Sequence, residues 1–167
     1  IIGDKVRLKI EGVSHTDIAD TAPTGANNVT VKGKVTLSYP SAASIVLIRG
    51  RQYSITWTPF GSLGNVDLWY ASDGTNYTNK INTEPAGVPA TDGTYTWSVP
   101  IDFTPGTNYK VKVKSKLYTD VEDPSDNTFT IDKFELTQPN ASGIVWQVGS
   151  NVAINWDIAS DGSTMGN

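Results

Sequence analysis

The sequence contains no cysteine, one histidine and one methionine among 167 residues. Without thiols there is no disulfide framework, no thiolate metal site and no cysteine nucleophile. One imidazole cannot assemble a multi-histidine metal centre, and Ser-His-Asp chemistry would have to pass through His15 alone. Charge is sparse and mildly acidic, with 13 basic and 17 acidic side chains and a net charge of −4. That balance gives no electrostatic footprint for nucleic acid. No apolar run approaches the ~18–20 residues that span a bilayer, so no membrane span is expected in this stretch. Residues 1–30 also lack the charged-then-apolar layout of a signal peptide. Helical spacing is missing as well.

What the sequence has instead is a period of two. Val6, Leu8 and Ile10 alternate with Lys5, Arg7 and Lys9, and Val111 and Val113 with Lys110, Lys112 and Lys114. Tyr53, Ile55 and Trp57 alternate with Ser54 and Thr56. Val66, Leu68 and Tyr70 alternate with Asp67, Trp69 and Ala71, and Tyr95, Trp97 and Val99 with Thr96 and Ser98. Successive side chains of a strand point to opposite faces, so each run reads as a strand buried on one face. Turn signals lie between them at Gly61–Gly64, Asp73-Gly74, Asp92-Gly93 and Pro105-Gly106, where Gly or Asn can take a positive φ. Short strands at this spacing, rich in Val, Thr, Tyr and Trp, predict an all-β antiparallel sandwich.

The chain also repeats itself. Pro40, Ile45, Val46, Gly50, Ile55 and Trp57 recur 99 residues later as Pro139, Ile144, Val145, Gly149, Ile154 and Trp156. Asn28 and Leu37 match Asn127 and Leu136 at the same offset. Further back, Lys5-Val6-Arg7-Leu8-Lys9 matches Lys110-Val111-Lys112-Val113-Lys114, now 105 residues apart. Identities that keep order, spacing and strand phase together mark a repeating unit. Its phase predicts a C-terminal half-unit at 1–33, a complete immunoglobulin-like domain at 34–131, and the N-terminal half of a following unit at 132–167. Half a sandwich leaves apolar faces and strand edges open to water. The expectation is therefore a stretch of a longer tandem array, or half-units completed by neighbouring chains.

The complete unit runs from a strand ending in Pro40 through Ile45–Gly50, Tyr53–Trp57, Asn65–Leu68 and Asp73-Gly74. It continues with Gly93–Pro100 and closes with Asn108–Val113, Asp126 and Phe129–Ile131, after which Trp146-Gln147-Val148-Gly149 opens the next. In these motifs the chain resembles the Ser/Thr-rich GPI-anchored surface domain family. That family is related to yeast proteins of cell-wall β-glucan assembly and also occurs in tandem on prokaryotic surface proteins. The resemblance implies tandem antiparallel immunoglobulin-like or fibronectin III-like β-sandwiches and an extracellular, wall-associated or structural role. It brings no catalytic residues. A Ser/Thr-rich stalk and a C-terminal anchor signal are absent from this stretch, so the mode of attachment stays open.

Candidate sites follow from strand phase. Trp57, Trp97 and Trp156 fall on the apolar phase and read as core. Trp69 falls on the outward phase beside Asp67, where it could meet an interface, lie under lysines, or stack on a sugar ring. Lys110, Lys112, Lys114 and Lys116 form an outward stripe on the strand expected beside it. Those lysines could pair with Asp67, cover Trp69 as a cation–π contact, bind an acidic polysaccharide, or simply discourage edge-to-edge pairing. Asp120, Glu122, Asp123 and Asp126 surround Pro124 as a weak Ca²⁺ candidate; no other metal or cofactor is expected. Asn28, Asn76 and Asn140 head Asn-x-Ser/Thr sequons and are glycosylation candidates. His15 precedes Thr16-Asp17 without any supported nucleophile.

The functional expectation is an extracellular, cell-surface structural or adhesive module, part of a tandem-repeat or filament-forming protein. Its partners would be other copies of itself, neighbouring repeat domains, or cell-wall polysaccharide. The alternative is a carbohydrate-binding accessory domain of a secreted or wall-associated enzyme. The chain itself is not expected to be an enzyme, because no acid/base pair or nucleophile has a partner at readable spacing.

Overall fold

Alternating apolar residues pair into strands where the sequence places them. The computed structural model describes residues 31–156 in full, and the backbone of residues 3–6, 9–11, 19–21, 29–30 and 157–158. Four short strands come first: β1 (Gly3–Val6), β2 (Lys9–Glu11), β3 (Ala19–Thr21) and β4 (Val29–Val31). Next are β5 (Lys34–Tyr39), β6 (Val46–Ile48), β7 (Gln52–Phe60), β8 (Asn65–Ala71), β9 (Asn79–Lys80) and β10 (Val88–Pro89). A 3₁₀ turn at Ala90–Asp92, the one helical element among the described residues, leads into β11 (Thr94–Ser98). Then follow β12 (Gly106–Ser115), β13 (Glu122–Pro124), β14 (Phe129–Asp132), β15 (Phe134–Gln138) and β16 (Asn155–Ile158).

Two sheets face each other over residues 34–132. One has the order β11-β7-β5; the other runs β10-β8-β12-β14-β6, with β9 beside β8 and β13 beside β12. β13 and β14 take successive stretches of the same edge of β12, and β14 then pairs parallel with β6. Between the sheets, Val35, Leu37, Ile55, Trp57 and Trp97 meet Leu47, Val66, Leu68, Val111, Val113, Phe129 and Ile131. Each such side chain contributes roughly 1.5–3 kcal/mol by leaving water. The inward residues are those of the apolar phase, so the sandwich expected from alternation is present. Pro105-Gly106 differs from its expected role: Gly106 is the first residue of β12 rather than a turn residue.

Buried polar groups close the strand ends. Ser115 Oγ donates to the Leu63 carbonyl and accepts from the Leu117 and Tyr118 amides. Ser125 Oγ takes the Val111 N–H and donates to the Val111 carbonyl. Among the described residues no buried side-chain nitrogen or oxygen lacks a partner, as a well-determined core requires.

The flanking strands form separate two-stranded pieces: β1 with β4, β2 with β3, and β15 with β16. Lys9 pairs opposite Thr21 as Lys112 pairs opposite Pro124. That places Lys9 and Ile10 against Lys112 and Val113, an offset of 103 rather than the 105 read from the sequence. A slip of two residues keeps every side chain on its face, so alternation does not reveal it. Trp156 also departs from its expected core position: it is exposed, as are Leu136, Trp146 and Ile154, because among the described residues no second sheet lies over this hairpin.

Candidate functional site

Strand alternation builds the first candidate face. With Val66, Leu68, Val111 and Val113 buried, Asp67 and Trp69 of β8 and Lys110, Lys112 and Lys114 of β12 stand on the opposite side. The antiparallel register sets Lys110 opposite Ala71, Lys112 opposite Trp69 and Lys114 opposite Asp67. On the other edge of β8, Lys80 lies opposite Trp69.

The ion pairs do not follow those cross-strand positions. Asp67 takes Lys80 at 2.8 Å and Lys116 at 3.7 Å. Lys112 and Lys114 converge instead on Glu122 of β13, at 3.2 and 3.1 Å. Lys110 Nζ donates to the Asp126 carbonyl at 3.3 Å. The cation–π contact expected on Trp69 falls on Tyr77, with Lys112 Nζ 4.5 Å from the ring centre. Trp69 itself is half-buried and, with Tyr77, Lys112 and Lys114, lines a shallow groove of about 180 Å³. The cause is local topology: β13 lies against the far edge of β12, and the segment between β8 and β9 carries Tyr77. Burial pushes the Glu122 carboxyl up, but hydrogen bonds and charge from Lys114 and Lys112 outweigh it and hold the group below its usual range. Burial, then the charges of Glu122 and Asp73, push the Tyr77 phenol up. The face therefore presents paired charge rather than a bare cationic strip.

The acidic turn is dispersed. Asp120 pairs with Lys32 at 2.6 Å, Glu122 holds the two lysines, Asp123 Oδ2 accepts the Leu37 N–H at 2.7 Å, and Asp126 Oδ2 accepts from Ser41 Oγ at 3.0 Å. Among the described residues no group of three or more acidic or imidazole side chains converges as a metal cage would require. Two sequons lie on exposed asparagines, Asn76 and Asn140. Asn76 donates both its backbone N–H and its Nδ2 to Asp73, whose carboxyl is held well below the usual range chiefly by the Asn76 and Thr75 backbone amides. Asn28 and His15 lie outside the described residues.

A second feature was not singled out from the sequence. Tyr70, Phe103 and Tyr109 gather at the end of the sandwich, with ring centres of Tyr70 and Phe103 5.0 Å apart and those of Phe103 and Tyr109 5.8 Å apart. They line an open trough of about 660 Å³ whose polar rim includes Ser72, Asn79 and Asp102. A neighbouring hollow of about 330 Å³ shares Tyr70, Pro100 and Phe103 and adds Trp97 and Thr83. Tyr109 Oη donates to the Thr104 carbonyl at 2.6 Å, and Arg49 Nη1 donates to the Phe103 carbonyl at 3.2 Å, which fixes the loop carrying Phe103. Burial, then the Asp102 charge, pushes the Tyr70 phenol up, so its hydroxyl stays neutral. Aromatic faces beside amide, hydroxyl and carboxylate groups match the mixed surface of a sugar ring. The available signal was Phe103 itself, an aromatic between Pro100 and Pro105 outside any alternating run.

The two facing sheets, with β14 returning beside β12 and then against β6, define an immunoglobulin-like sandwich. Residues 39–131 match the Kre9/KNH-like N-terminal Ig-like domain family. The match spans more than half of the chain, and the chain belongs to this family. No curated protein and no solved structure matches it. Among the described residues no helix is long and apolar enough to cross a membrane.

Proposed function

We propose that the chain is an extracellular structural module of a cell surface or wall. In this reading it is one stretch of a series of immunoglobulin-like units in a surface-anchored or filament-forming protein. The observation that carries it is the family match over residues 39–131, a family of cell-wall glucan assembly. The module supports and connects rather than catalyses: the carboxylates of the acidic turn are each engaged in ion pairs or hydrogen bonds that hold strands together. It requires no cofactor. Stacked units would give reach, and contacts with other copies or with wall polysaccharide would give adhesion. Electron microscopy of the purified protein should show filaments with a repeat near one domain length. Uniformly dispersed monomers at high concentration would refute the filament part of the reading.

A second reading has its own observation. The trough lined by Tyr70, Phe103, Asn79 and Asp102 fits a carbohydrate-binding accessory module. Retention on insoluble β-glucan or chitin tests it. If sugar binds in the trough, Phe103→Ala abolishes retention while Trp69→Ala leaves it intact. The reverse pattern would place binding on the lysine face, and no retention at all would remove the reading.

A further inference from the structure

The aromatic trough at the end of the sandwich is held open by its own framework. Tyr70 lies near the end of β8, Asn79 begins β9, and Phe103 sits on the loop from β11 to β12. Three hydrogen bonds fix that loop. The Phe103 N–H donates to the Pro100 carbonyl at 3.2 Å, Tyr109 Oη to the Thr104 carbonyl at 2.6 Å, and Arg49 Nη1 to the Phe103 carbonyl at 3.2 Å. Rings fixed in advance lose little free energy to ordering when a ligand arrives. Tyr70 and Phe103 are both partly exposed, so ring surface is open to contact. The trough of about 660 Å³ and the neighbouring hollow of about 330 Å³ share Tyr70, Pro100 and Phe103. Each alone falls within the roughly 300–1,000 Å³ of ordinary ligand sites. Side by side they suit a run of linked rings better than a single sugar.

Charge then narrows the ligand. Among the described residues Asp102 is the only charged side chain lining the trough; it is exposed and makes no ion pair. Lys80 lines the smaller hollow, but its ammonium is taken by Asp67 at 2.8 Å and the Glu84 carbonyl at 3.2 Å. Arg49 lines neither space. An anionic sugar in the trough would therefore meet a carboxylate with no lining cation to offset it. A cation would meet that carboxylate together with the faces of Tyr70 and Phe103, whose quadrupoles attract positive charge. The Asp102 charge already reaches the Tyr70 hydroxyl, which it helps to keep protonated.

We propose that the trough binds an amine-bearing polysaccharide, a chain of glucosamine-type rings whose ammonium groups meet Asp102 while their apolar faces lie on Tyr70 and Phe103. The inference rests on the carbohydrate-binding reading and names the sugar class within it. Ser72 and Asn79 on the rim supply partners for ring hydroxyls. The lysine face is of the opposite kind, since Lys112 and Lys114 there converge on Glu122.

Titration of the full chain with chitosan and chitin oligosaccharides of equal length tests the proposal, at low salt and mildly acid pH where the amine is charged. The chitosan oligomer should bind about tenfold more tightly, as an exposed ion pair and a cation–π contact together supply. Asp102→Asn should reduce that preference by at least about threefold, and Phe103→Ala should abolish binding of both oligomers. The net charge of −4 draws any polycation, so a matched control is needed. Asp92→Asn removes the same charge from an exposed residue that precedes β11, where Asp102 follows it; it should leave the preference intact. Equal losses in the two variants overturn the proposal, because net charge then explains the attraction. Equal affinity for the two oligomers also overturns it, yet leaves the carbohydrate-binding reading standing if Phe103→Ala still removes binding. An oligolysine peptide bound with the same dependence on Asp102 overturns it too, since the trough would then read bare positive charge. No binding of either oligomer overturns the proposal and that reading together.

Discussion

At the scale of single residues, the face of β8 depends on a side chain that strand phase does not reveal. Asn82 is buried between β9 and β10; its Oδ1 accepts the Leu68 N–H at 2.8 Å and its Nδ2 donates to Asp67 Oδ1 at 3.3 Å. It thereby does for β8 what a neighbouring strand would do and orients Asp67 toward Lys80. Asn82→Leu keeps the branched shape and the number of side-chain heavy atoms and removes both bonds, leaving the Leu68 N–H buried without a partner. The expected cost is about 1–3 kcal/mol, read as a lower urea midpoint with an unchanged slope. An unchanged midpoint would show that water replaces the side chain. Sequence reasoning reached the neighbours but not the link: alternation tells which face Leu68 occupies, not which distant amide satisfies its backbone. Trp57 is similar, its burial legible from phase and its Nε1–H bond to the Ala90 carbonyl not.

At the scale of elements, most strands were legible and their edges were not. β7, β8, β11 and β12 lie on the alternating runs, because period two is a property of each strand alone. Which strands meet, and in what register, depends on loops that alternation does not describe. β13 is the case with consequences, since its pairing with β12 brings Glu122 to Lys112 and Lys114 and turns an apparent cationic stripe into a clamp. The clamp makes a pH prediction. The Glu122 carboxyl sits below its unfolded range in the folded protein, so its contribution is present above that range and disappears as pH falls through it. Glu122→Gln lacks this contribution. The gap in melting temperature between the native protein and Glu122→Gln should therefore narrow from pH 7 to pH 3. A gap that stays constant would show that the two ion pairs add nothing to stability, as surface pairs sometimes do not.

At the scale of the whole molecule, the likeness of β15–β16 to β5–β7 was visible in the sequence because Pro40, Gly50 and Trp57 have counterparts 99 residues later in Pro139, Gly149 and Trp156. The trough was not visible, because Tyr70, Phe103 and Tyr109 come from different parts of the chain and converge only through folding. The strand pairing also implies an uneven distribution of stability. Residues 34–132 bury a shared core between two sheets, whereas among the described residues β15 and β16 pair only with each other. An isolated hairpin is marginal in water, and local openings range from near zero to the global unfolding free energy. In dilute solution the ladder amides of β15–β16 should thus exchange with deuterium at least about 10³-fold faster than those of β5–β7, given that each 1.4 kcal/mol is tenfold and a domain holds roughly 5–15 kcal/mol. The two hairpins share a register, so the comparison isolates the effect of the covering sheet from that of the hairpin itself. Equal protection would mean that β15–β16 unfolds only together with the sandwich.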